Sequence, residues 1–271
     1  MRTLDGARVV VTGAGGTIGR ALSVALRDAG AQVVGLDRTV PPDAPVPILT
    51  CDLTDEAAVR DAVRAALDRL GGLDLLVNNA GVGGPAPAEL PPDATVRRQL
   101  EVNLIAAWST TAAAIPALEE ARGRVVFIAS RMAVLPLPLA AAYGVSKRAV
   151  VAYADALRLE VGTHVGVSVV YPSMIASPIH DSTAAAGLSL DGVSRYEPVE
   201  GVVRAVVRAA TVRRPPANLA TTGRGRLELA IARHLPGVAR WMVNRTVARR
   251  LAAGSFDRAD LAAGLRRRAG R

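Results

Sequence analysis

The feature that most constrains the fold is an apolar run that ends in a glycine-rich turn and continues into an amphipathic segment. Residues 7–12 are largely β-branched, Gly13, Gly16 and Gly19 follow, and residues 20–29 repeat apolar side chains at helical spacing. Glycines let a backbone approach a phosphate, and the helix that follows offers free N–H groups and a positive dipole end. An ordinary tight turn is the alternative. The strand before and the helix after favour a dinucleotide-binding unit.

An acidic residue stands where such a unit would bind a ribose. Residues 32–36 form a second apolar strand that ends at Asp37, about 20 positions after the glycine turn. A carboxylate there can accept hydrogen bonds from both ribose hydroxyls of an adenosine and repels a 2′-phosphate. Arg38 complicates this reading, because a guanidinium could instead pair with that phosphate. We predict NAD as the cofactor, with NADP as the less favoured alternative.

The chain contains a single lysine, Lys147, among 33 basic residues, and it stands four positions after Tyr143. On a helix, residues at this spacing lie on one face about one turn apart. A nearby ammonium favours the phenolate and lowers the pKa of a tyrosine from its usual value of about 10. The pair therefore predicts a tyrosine that exchanges protons with a substrate. Alone the pattern is weak, because a solvent-facing tyrosine and lysine would give the same spacing.

Taken together with further motifs, these residues resemble the short-chain dehydrogenase/reductase family over about residues 5–200. The segment Asn78-Asn79-Ala80-Gly81 follows a strand at 73–77, and Ser130 closes a strand at 125–129, thirteen residues before Tyr143. The resemblance implies an α/β fold, a Rossmann-type doubly wound parallel sheet. It implies four catalytic residues: Ser130, Tyr143, Lys147 and Asn103, the last as part of a proton relay. It also implies these cofactor contacts: Gly13, Gly16, Thr17, Ile18, Gly19, Asp37, Arg38, Asp52, Leu53, Asn79, Ala80, Gly81, Tyr143, Lys147, Pro172, Ser173, Ile175 and Ser177.

The chain departs from the family pattern in three places. Thr17 takes the place of the middle glycine of the usual cradle, so the glycines have the spacing of the family's extended branch. Ser173 replaces a glycine, and Ser177 replaces a threonine while keeping its hydroxyl. The C-terminal part lacks the usual final strand with Asp-Gly-Gly. These departures bear on cofactor geometry rather than on the proton chemistry.

Length and composition fit one catalytic domain with an addition. We predict a catalytic domain over residues 1–222, with a substrate lid at about 178–198, and an arginine-rich helical extension over residues 223–271. Cys51 is the only cysteine and reads as a buried thiol, which fits the cytoplasm. No apolar stretch is long enough to span a membrane. No Cys/His cluster predicts a metal, and His180 reads as a polar wall residue beside the substrate.

The C-terminal segment is strongly basic. Residues 201–271 hold sixteen arginines against three acidic residues. Few aromatics and no recognisable motif make nucleic-acid binding unlikely. Pro236-Gly237 would divide the segment into two helices. Apolar side chains recur there at helical spacing with arginines between them: Leu227, Ile231, Leu235, Val238, Trp241 and Met242, with Arg233, Arg240, Arg245, Arg249 and Arg250. Two readings stay open: helices packed on the domain or on a sister subunit, which we favour slightly, and peripheral contact with a membrane surface.

The predicted function is an NAD(P)-dependent oxidoreductase that interconverts a secondary alcohol and a ketone, in a homo-dimer or homo-tetramer. Apolar residues in and before the lid weakly favour a hydrophobic small-molecule substrate: Met174, Ile175, Ile179, Leu188 and Leu190. One alternative is a non-catalytic dinucleotide-sensing protein on the same fold, although such a protein would be expected to lose Tyr143 or Lys147. The other is epimerase-type chemistry, suggested by the glycine spacing, but the long substrate domain of that branch is missing.

Overall fold

The fold is a single parallel β-sheet between two layers of helices. A computed structural model describes residues 3–188, 196–257, 259–268 and 270. Within them the sheet has seven strands in the order β3-β2-β1-β4-β5-β6-β7, and every neighbouring pair is parallel. The strands are β1 Arg8–Thr12, β2 Gln32–Asp37, β3 Ile48–Thr50, β4 Leu75–Asn78, β5 Arg124–Ile128, β6 Gly166–Tyr171 and β7 Asn218–Ala220.

Ten α-helices connect and cover the strands in the described part of the chain. They are α1 Thr17–Asp28, α2 Glu56–Leu70, α3 Ala94–Leu100, α4 Ala106–Glu120, α5 Ala141–Val161, α6 Asp181–Ala185, α7 Glu200–Thr211, α8 Gly223–His234, α9 Pro236–Ala252 and α10 Ala263–Arg268. A π-helical turn, Glu101–Ile105, joins α3 to α4. Short 3₁₀ turns span Arg131–Ala133, Pro178–His180 and Asp260–Ala262. The strands and first helix predicted around the glycine turn are confirmed, with shifts of one to three residues at their ends.

The central strands are apolar throughout because helices cover both faces of the sheet. Alternate residues point to opposite faces. In β1, Val10 packs into the core on the side of α2, α4 and α5. Its neighbours Val9 and Val11 pack into the core on the side of α1 and α7. All three are essentially inaccessible to solvent.

The order of the strands fixes where a ligand can bind. The chain moves outward from β1 to β2 and β3, then returns across the sheet to β4 on the other side of β1. Connections diverge where the order reverses, which leaves a crevice above the carboxyl ends of β1 and β4. The glycine turn after Thr12 and the segment after Asn78 therefore meet at this edge.

The expectation that a final strand is missing was wrong. Residues Asn218–Ala220 form β7, which pairs with β6 through Val169, Val170 and Tyr171. The strand has no Asp-Gly-Gly motif, but a parallel edge strand needs only backbone hydrogen bonds and one inward side chain. Leu219 supplies that side chain and is buried.

The C-terminal part begins after β7, and Leu229 of α8 packs against the larger of the two cores. Helices α8 and α9 follow β7, and Pro236 is the first residue of α9, where the sequence predicted a break. Phe256, Ala259 and Ala262 form a small core of their own with Leu139 and Leu188. No helix in the described ranges is long and apolar enough to cross a membrane. Of the predicted lid, residues 189–195, which include Leu190, lie outside the described residues.

Phe127, the largest of the fully buried side chains, provides a test of the core packing. Phe127 is fully buried on β5, and its edge contacts the ring of Tyr153, with centroids 5.6 Å apart. Phe127→Ala should lower the free energy of unfolding by about 3–5 kcal/mol, measured by urea denaturation. Leu159→Ala, at a side chain 90% exposed on α5, is the control and should change it by less than about 0.5 kcal/mol. Equal effects would contradict this account of the core.

Candidate active site

A cleft of about 540 Å³ opens above the carboxyl ends of the strands. Every residue predicted to contact the cofactor lines it except Gly19, which lies beneath the turn. Three of the four predicted catalytic residues also line it: Ser130, Tyr143 and Lys147. The sequence motifs, spread from the first strand to the sixth, therefore meet in one place.

Steric contacts explain two of the three glycines. Gly13 has φ +65°, and a Cβ there would lie 2.8 Å from the Cα of Ala80 on the neighbouring strand end. A Cβ on Gly19 would lie 2.0 Å from the carbonyl oxygen of Gly13. Gly16 is different, because its nearest contact would be an ordinary 3.5 Å. The turn therefore requires glycine at positions 13 and 19, and the extended-branch spacing through Gly16 has no steric basis here.

The N-terminal end of α1 is suited to bind a diphosphate. The N-cap residue of α1 is Gly16, which has no side chain. The first N–H groups of the helix therefore receive no hydrogen bond from a capping side chain. Thr17 opens α1 and is exposed, and it lines the cleft beside Ile18. Free N–H groups and the positive end of the helix dipole suit an anion, and the glycine turn brings the backbone close to it. The residues present thus fit the dinucleotide that the sequence predicts.

Asn79 and Thr12 hold the glycine turn in this position. The side-chain nitrogen of Asn79 donates to the carbonyl oxygens of Thr12 and Gly13, at 2.9 and 3.1 Å. The hydroxyl of Thr12 accepts from the backbone N–H groups of Asn79 and Ala80, at 2.9 and 3.0 Å. In this structure Asn79 thus positions the turn, while Ala80 and Gly81 line the cleft.

The cleft carries charges of both signs near the ends of β2 and β3, where an adenosine would bind. The carboxylate of Asp37 accepts a 2.8 Å hydrogen bond from Gly15 N, and exposed Arg38 follows it. Asp52 accepts two hydrogen bonds from Thr54, which lower the pKa of its carboxyl group. Arg98 on α3 also lines this end, and no motif in the sequence pointed to it. Cys51 is buried as predicted, and burial raises the pKa of its thiol to about 11.

The side chains of Tyr143 and Ser130 share a hydrogen bond in the cleft. Ser130 follows β5, and its hydroxyl accepts a 3.1 Å hydrogen bond from Met132 N at the start of a 3₁₀ turn. Burial raises the pKa of Tyr143 to about 12, and the hydrogen bond with Ser130 opposes that rise. The phenol is therefore protonated at neutral pH.

Lys147 lies one turn along α5, as its spacing predicts. Its ammonium stands 5.8 Å from the centre of the Tyr143 ring and donates a 3.0 Å hydrogen bond to the carbonyl oxygen of Ile128. The side chain is buried, and burial lowers the pKa of the ammonium to about 8. Burial is the largest influence on the pKa of Tyr143 and raises it, and the lowering expected from Lys147 stays a prediction. The carbonyl oxygen of Ile128 takes one of the three donors of the ammonium.

Asn103 lies in the π-helical turn, a feature that its sequence did not signal. Its amide oxygen accepts from Val82 N at 2.8 Å, and its nitrogen donates to Val82 O and to the hydroxyl of Ser146, at 3.0 and 2.9 Å. Asn103 is buried and does not line the cleft. It links the segment after Gly81 to α5, beside Lys147. π-Helical turns often mark functional sites.

The segment Pro172–Ser177 closes the far side of the cleft. Its position depends on Glu197, which sequence reasoning missed: the carboxylate accepts from Ser173 N at 2.7 Å and from the Thr221 hydroxyl at 2.5 Å. The imidazole of His180 lies 3.1 Å from the carbonyl oxygen of Ile175, and burial lowers its pKa. Among the residues that the structure describes, no cluster of His, Cys, Asp or Glu could hold a metal ion.

A second pocket, of about 190 Å³, adjoins the first, and Tyr143, Ile179 and His180 line both. Its remaining walls come from the segments after β4 and β5, from Thr183 and Leu188, and from the C-terminal part. The C-terminal contributors are Arg224, Glu228, Met242, Val243, Thr246, Val247, Arg250 and Phe256. The sequence did not indicate that this part reaches the site.

Two known relatives cover most of the chain. The 1-deoxy-11-beta-hydroxypentalenate dehydrogenase of Streptomyces arenae is 38% identical over 216 residues, which are 72% of this chain and 76% of that protein. The L-fucose dehydrogenase of Bos taurus is 35% identical over 188 residues, which are 65% of this chain and 69% of that protein. The names of both describe the oxidation of an alcohol.

Two solved structures share the architecture. The 3-ketoacyl-(acyl-carrier-protein) reductase of Brucella melitensis, complexed with NADH, has a TM-score of 0.71 and 26% identity over 80% of this chain and 97% of that one. A short chain dehydrogenase of Burkholderia cenocepacia J2315, in complex with NADP, has a TM-score of 0.76 over 89% of this chain and 99% of that one. Its 24% identity supports the fold alone.

The family model described as short chain dehydrogenase matches residues 7–186. That range spans the glycine turn, the Asn-Asn-Ala-Gly segment, Ser130, Tyr143 and Lys147. The chain therefore belongs to the short-chain dehydrogenase/reductase family and is an oxidoreductase that acts on CH–OH groups with NAD or NADP.

Proposed function

We propose that this enzyme interconverts a secondary alcohol and a ketone, with Tyr143 exchanging the proton on the substrate oxygen. The observation that carries the proposal is the position of Tyr143, the residue of α5 that lines both the cofactor cleft and the second pocket. When bound, the nicotinamide cofactor would accept or supply the hydride. A substrate in the second pocket would lie between that cofactor and the phenol.

The protonation of the site supports a general-acid role for Tyr143. With a pKa of about 12, the phenol carries its proton at neutral pH and can donate it to a carbonyl oxygen. Ser130, bonded to the phenol, would donate to the same oxygen and stabilise its developing charge. Lys147 would keep one donor on Ile128 and direct the others into the cleft, where the ribose of the cofactor would lie. Asn103 would hold this part of α5 through Ser146.

An apolar substrate fits the second pocket best. Its walls include Met132, Leu135, Leu137, Leu139, Leu188, Met242, Val243, Val247 and Phe256. The walls also hold arginines, Glu228, His180 and two threonines, but apolar residues form the majority. The relative named for a hydroxypentalenate therefore suggests the substrate class better than the relative named for L-fucose.

We propose NAD rather than NADP as the cofactor. Asp37 ends β2 in the cleft with one carboxylate oxygen bonded to Gly15 N, close to where a 2′-phosphate would stand. A negative charge there opposes that phosphate. Arg38 and Arg98 are the competing influence, because both line the same end of the cleft.

We propose a cytoplasmic homo-oligomer. Trp108 of α4 stacks on Tyr153 of α5 with centroids 4.3 Å apart, yet it is about half exposed. Ile105 and Val145 are exposed large apolar residues near these helices. A large exposed aromatic on a helix surface suits contact with a second subunit. The buried free thiol of Cys51 fits a reducing compartment.

We also propose peripheral membrane contact through α8 and α9. Leu227, Leu235, Val238 and Trp241 are 44–62% exposed, so about half of the surface of these side chains of the predicted amphipathic face is open to solvent. Arg245 lies over the ring of Trp241, 5.2 Å from its centre, and Arg233, Arg240 and Arg249 are exposed around it. Apolar side chains rimmed by arginines match an anionic lipid surface.

The proton-transfer role predicts large losses of rate from small changes. Tyr143→Phe should lower kcat by about a hundredfold or more, the usual size of general acid–base contributions, with cofactor binding retained. Lys147→Arg should lower kcat by a similar factor and leave the fold largely intact. Tyr153→Phe is the matched control on the same helix, outside both pockets. Steady-state kinetics over a panel of ketones and alcohols measures the rates, and titration of cofactor fluorescence measures binding. Near-wild-type turnover in either variant would overturn the assignment.

The cofactor preference gives a second test. The wild type should show a higher kcat/KM with NADH than with NADPH, and Asp37→Ser should reduce or reverse the ratio. Asp43→Ser, at an exposed carboxylate paired with Arg20, should leave it unchanged. A tenfold preference of the wild type for NADPH would contradict the proposal.

Membrane contact can be tested by sedimentation with vesicles. The enzyme should sediment with anionic vesicles but not with neutral ones, and salt should release it. The double variant Leu235→Ser, Trp241→Ser should lose this binding, whereas Leu159→Ser, on the far more exposed leucine of α5, should keep it. Absence of wild-type binding would overturn the proposal. Dissociation of an oligomer by the double variant would instead assign the face to a contact between subunits.

A further inference from the structure

Ser130 lies at the start of a short 3₁₀ turn, and the position of this turn sets the direction of the serine hydroxyl. Ser130 is the N-cap of the turn Arg131–Ala133, and its hydroxyl accepts a 3.1 Å hydrogen bond from Met132 N. The backbone N–H of Arg131 donates to the carbonyl oxygen of Pro172 at 2.9 Å. A displacement of the turn would therefore carry the hydroxyl with it.

The side chain of Arg131 attaches this turn to α8, which lies beyond the family match. Arg131 pairs with one carboxylate oxygen of Glu228, and the family match ends at residue 186. The other carboxylate oxygen pairs with Arg224 at 2.8 Å. Both oxygens of this carboxylate are thus engaged by guanidinium groups, one from the turn and one from α8 itself.

Helix α8 is anchored on both sides of Glu228 in the sequence. The hydroxyl of Thr222 caps the helix by accepting a 3.0 Å hydrogen bond from Gly225 N. Leu229, the next residue after Glu228, packs against the larger core. The carboxylate therefore gives the guanidinium of Arg131 a fixed partner.

Burial makes this ion pair costly to break. The side chains of Arg131 and Glu228 are only 15% and 9% exposed, whereas that of Arg224 is 61% exposed. A guanidinium stays charged when it is buried. Loss of the carboxylate would leave an uncompensated charge beside the turn, which is far more costly than the loss of an exposed pair. A shift of the turn toward water would relieve that charge.

We propose that Glu228 is a positioning residue, which fixes Arg131 and thereby holds the Ser130 hydroxyl within hydrogen-bond distance of Tyr143. The proposal rests on the proposed function, which gives Ser130 and Tyr143 their roles. It assigns α8 a part in the reaction besides forming a wall of the second pocket. Displacement of a catalytic group by about 1 Å can lower a rate by about a hundredfold, so a small shift of the turn is enough.

Steady-state kinetics of Glu228→Gln test this role. The amide keeps the size of the side chain and removes its charge, so kcat should fall by about tenfold or more, while KM should change by less than about threefold. Asp61→Asn is the matched control, because it removes the charge from an exposed ion pair with Arg64 on α2, and it should leave both constants unchanged. A raised KM with an unchanged kcat would make Glu228 a substrate contact and would overturn the proposal.

A double-mutant cycle separates the positioning of Ser130 from a general loss of structure. Ser130→Ala alone should lower kcat by about a hundredfold, as the loss of a donor to the reacting oxygen does. Glu228→Gln added to Ser130→Ala should lower kcat by less than about a further twofold, because the hydroxyl that it positions is already absent. The full tenfold effect in that background would contradict the proposal. Circular dichroism and Tm check the fold, and Glu228→Asp, which withdraws the carboxylate by one carbon, replaces Glu228→Gln if that variant does not fold.

A measurement without substrate separates this proposal from the proposed function. Ser130→Ala should shift the ring-carbon NMR signal of Tyr143, because it removes the hydrogen bond to the phenol. Glu228→Gln should shift that signal in the same direction, and Asp61→Asn should not move it. If no ketone is reduced but Glu228→Gln reproduces the shift, the proposed chemistry fails and the positioning role stands. If ketones are reduced but Glu228→Gln leaves the signal unmoved, the positioning role fails alone, whatever its kcat.

Discussion

The structure depends on the close approach of two strand ends at the centre of the sheet. Gly13 passes so near Ala80 that a single added carbon would lie 2.8 Å from its Cα. Four hydrogen bonds between the Thr12 and Asn79 segments hold that approach. The approach opens the crevice at the point where the strand order reverses and aims the start of α1 into it. The approach therefore fixes the glycine turn beside the segment that follows β4.

Burial shifts the pKa values of the two titratable side chains of α5 in this crevice, Tyr143 and Lys147. Desolvation raises the pKa of Tyr143 and lowers that of Lys147. In both side chains it favours the uncharged form. A protonated phenol bonded to Ser130 is the form that the proposed general-acid role requires. A lysine with a pKa of about 8 is held by Ile128 and loses its charge more readily than a solvated one. The single lysine of the chain thus occupies a place where a guanidinium would stay charged.

The sequence predicted which segments meet in the cleft because its signals are local. A glycine turn between a strand and a helix, and acids or asparagines at strand ends, must meet along one edge when the strands are parallel. The remainder depends on packing between distant segments. β7 was missed because three residues paired at an edge carry little pattern of their own. Arg98 and Glu197 belong to no motif. Arg250 looks like its exposed neighbour Arg249 until α9 is placed against the pocket.

The central claim is that Tyr143 is a proton donor kept neutral by burial, and its titration tests this directly. The chain has four tyrosines, so ring-carbon NMR of isotope-labelled tyrosine gives four signals, and Tyr143→Phe identifies one of them. The account predicts that the Tyr143 signal stays that of the phenol through neutral pH and titrates near 12 in the enzyme without ligands. A phenolate that forms below about pH 9, lower than for a free tyrosine, would contradict it.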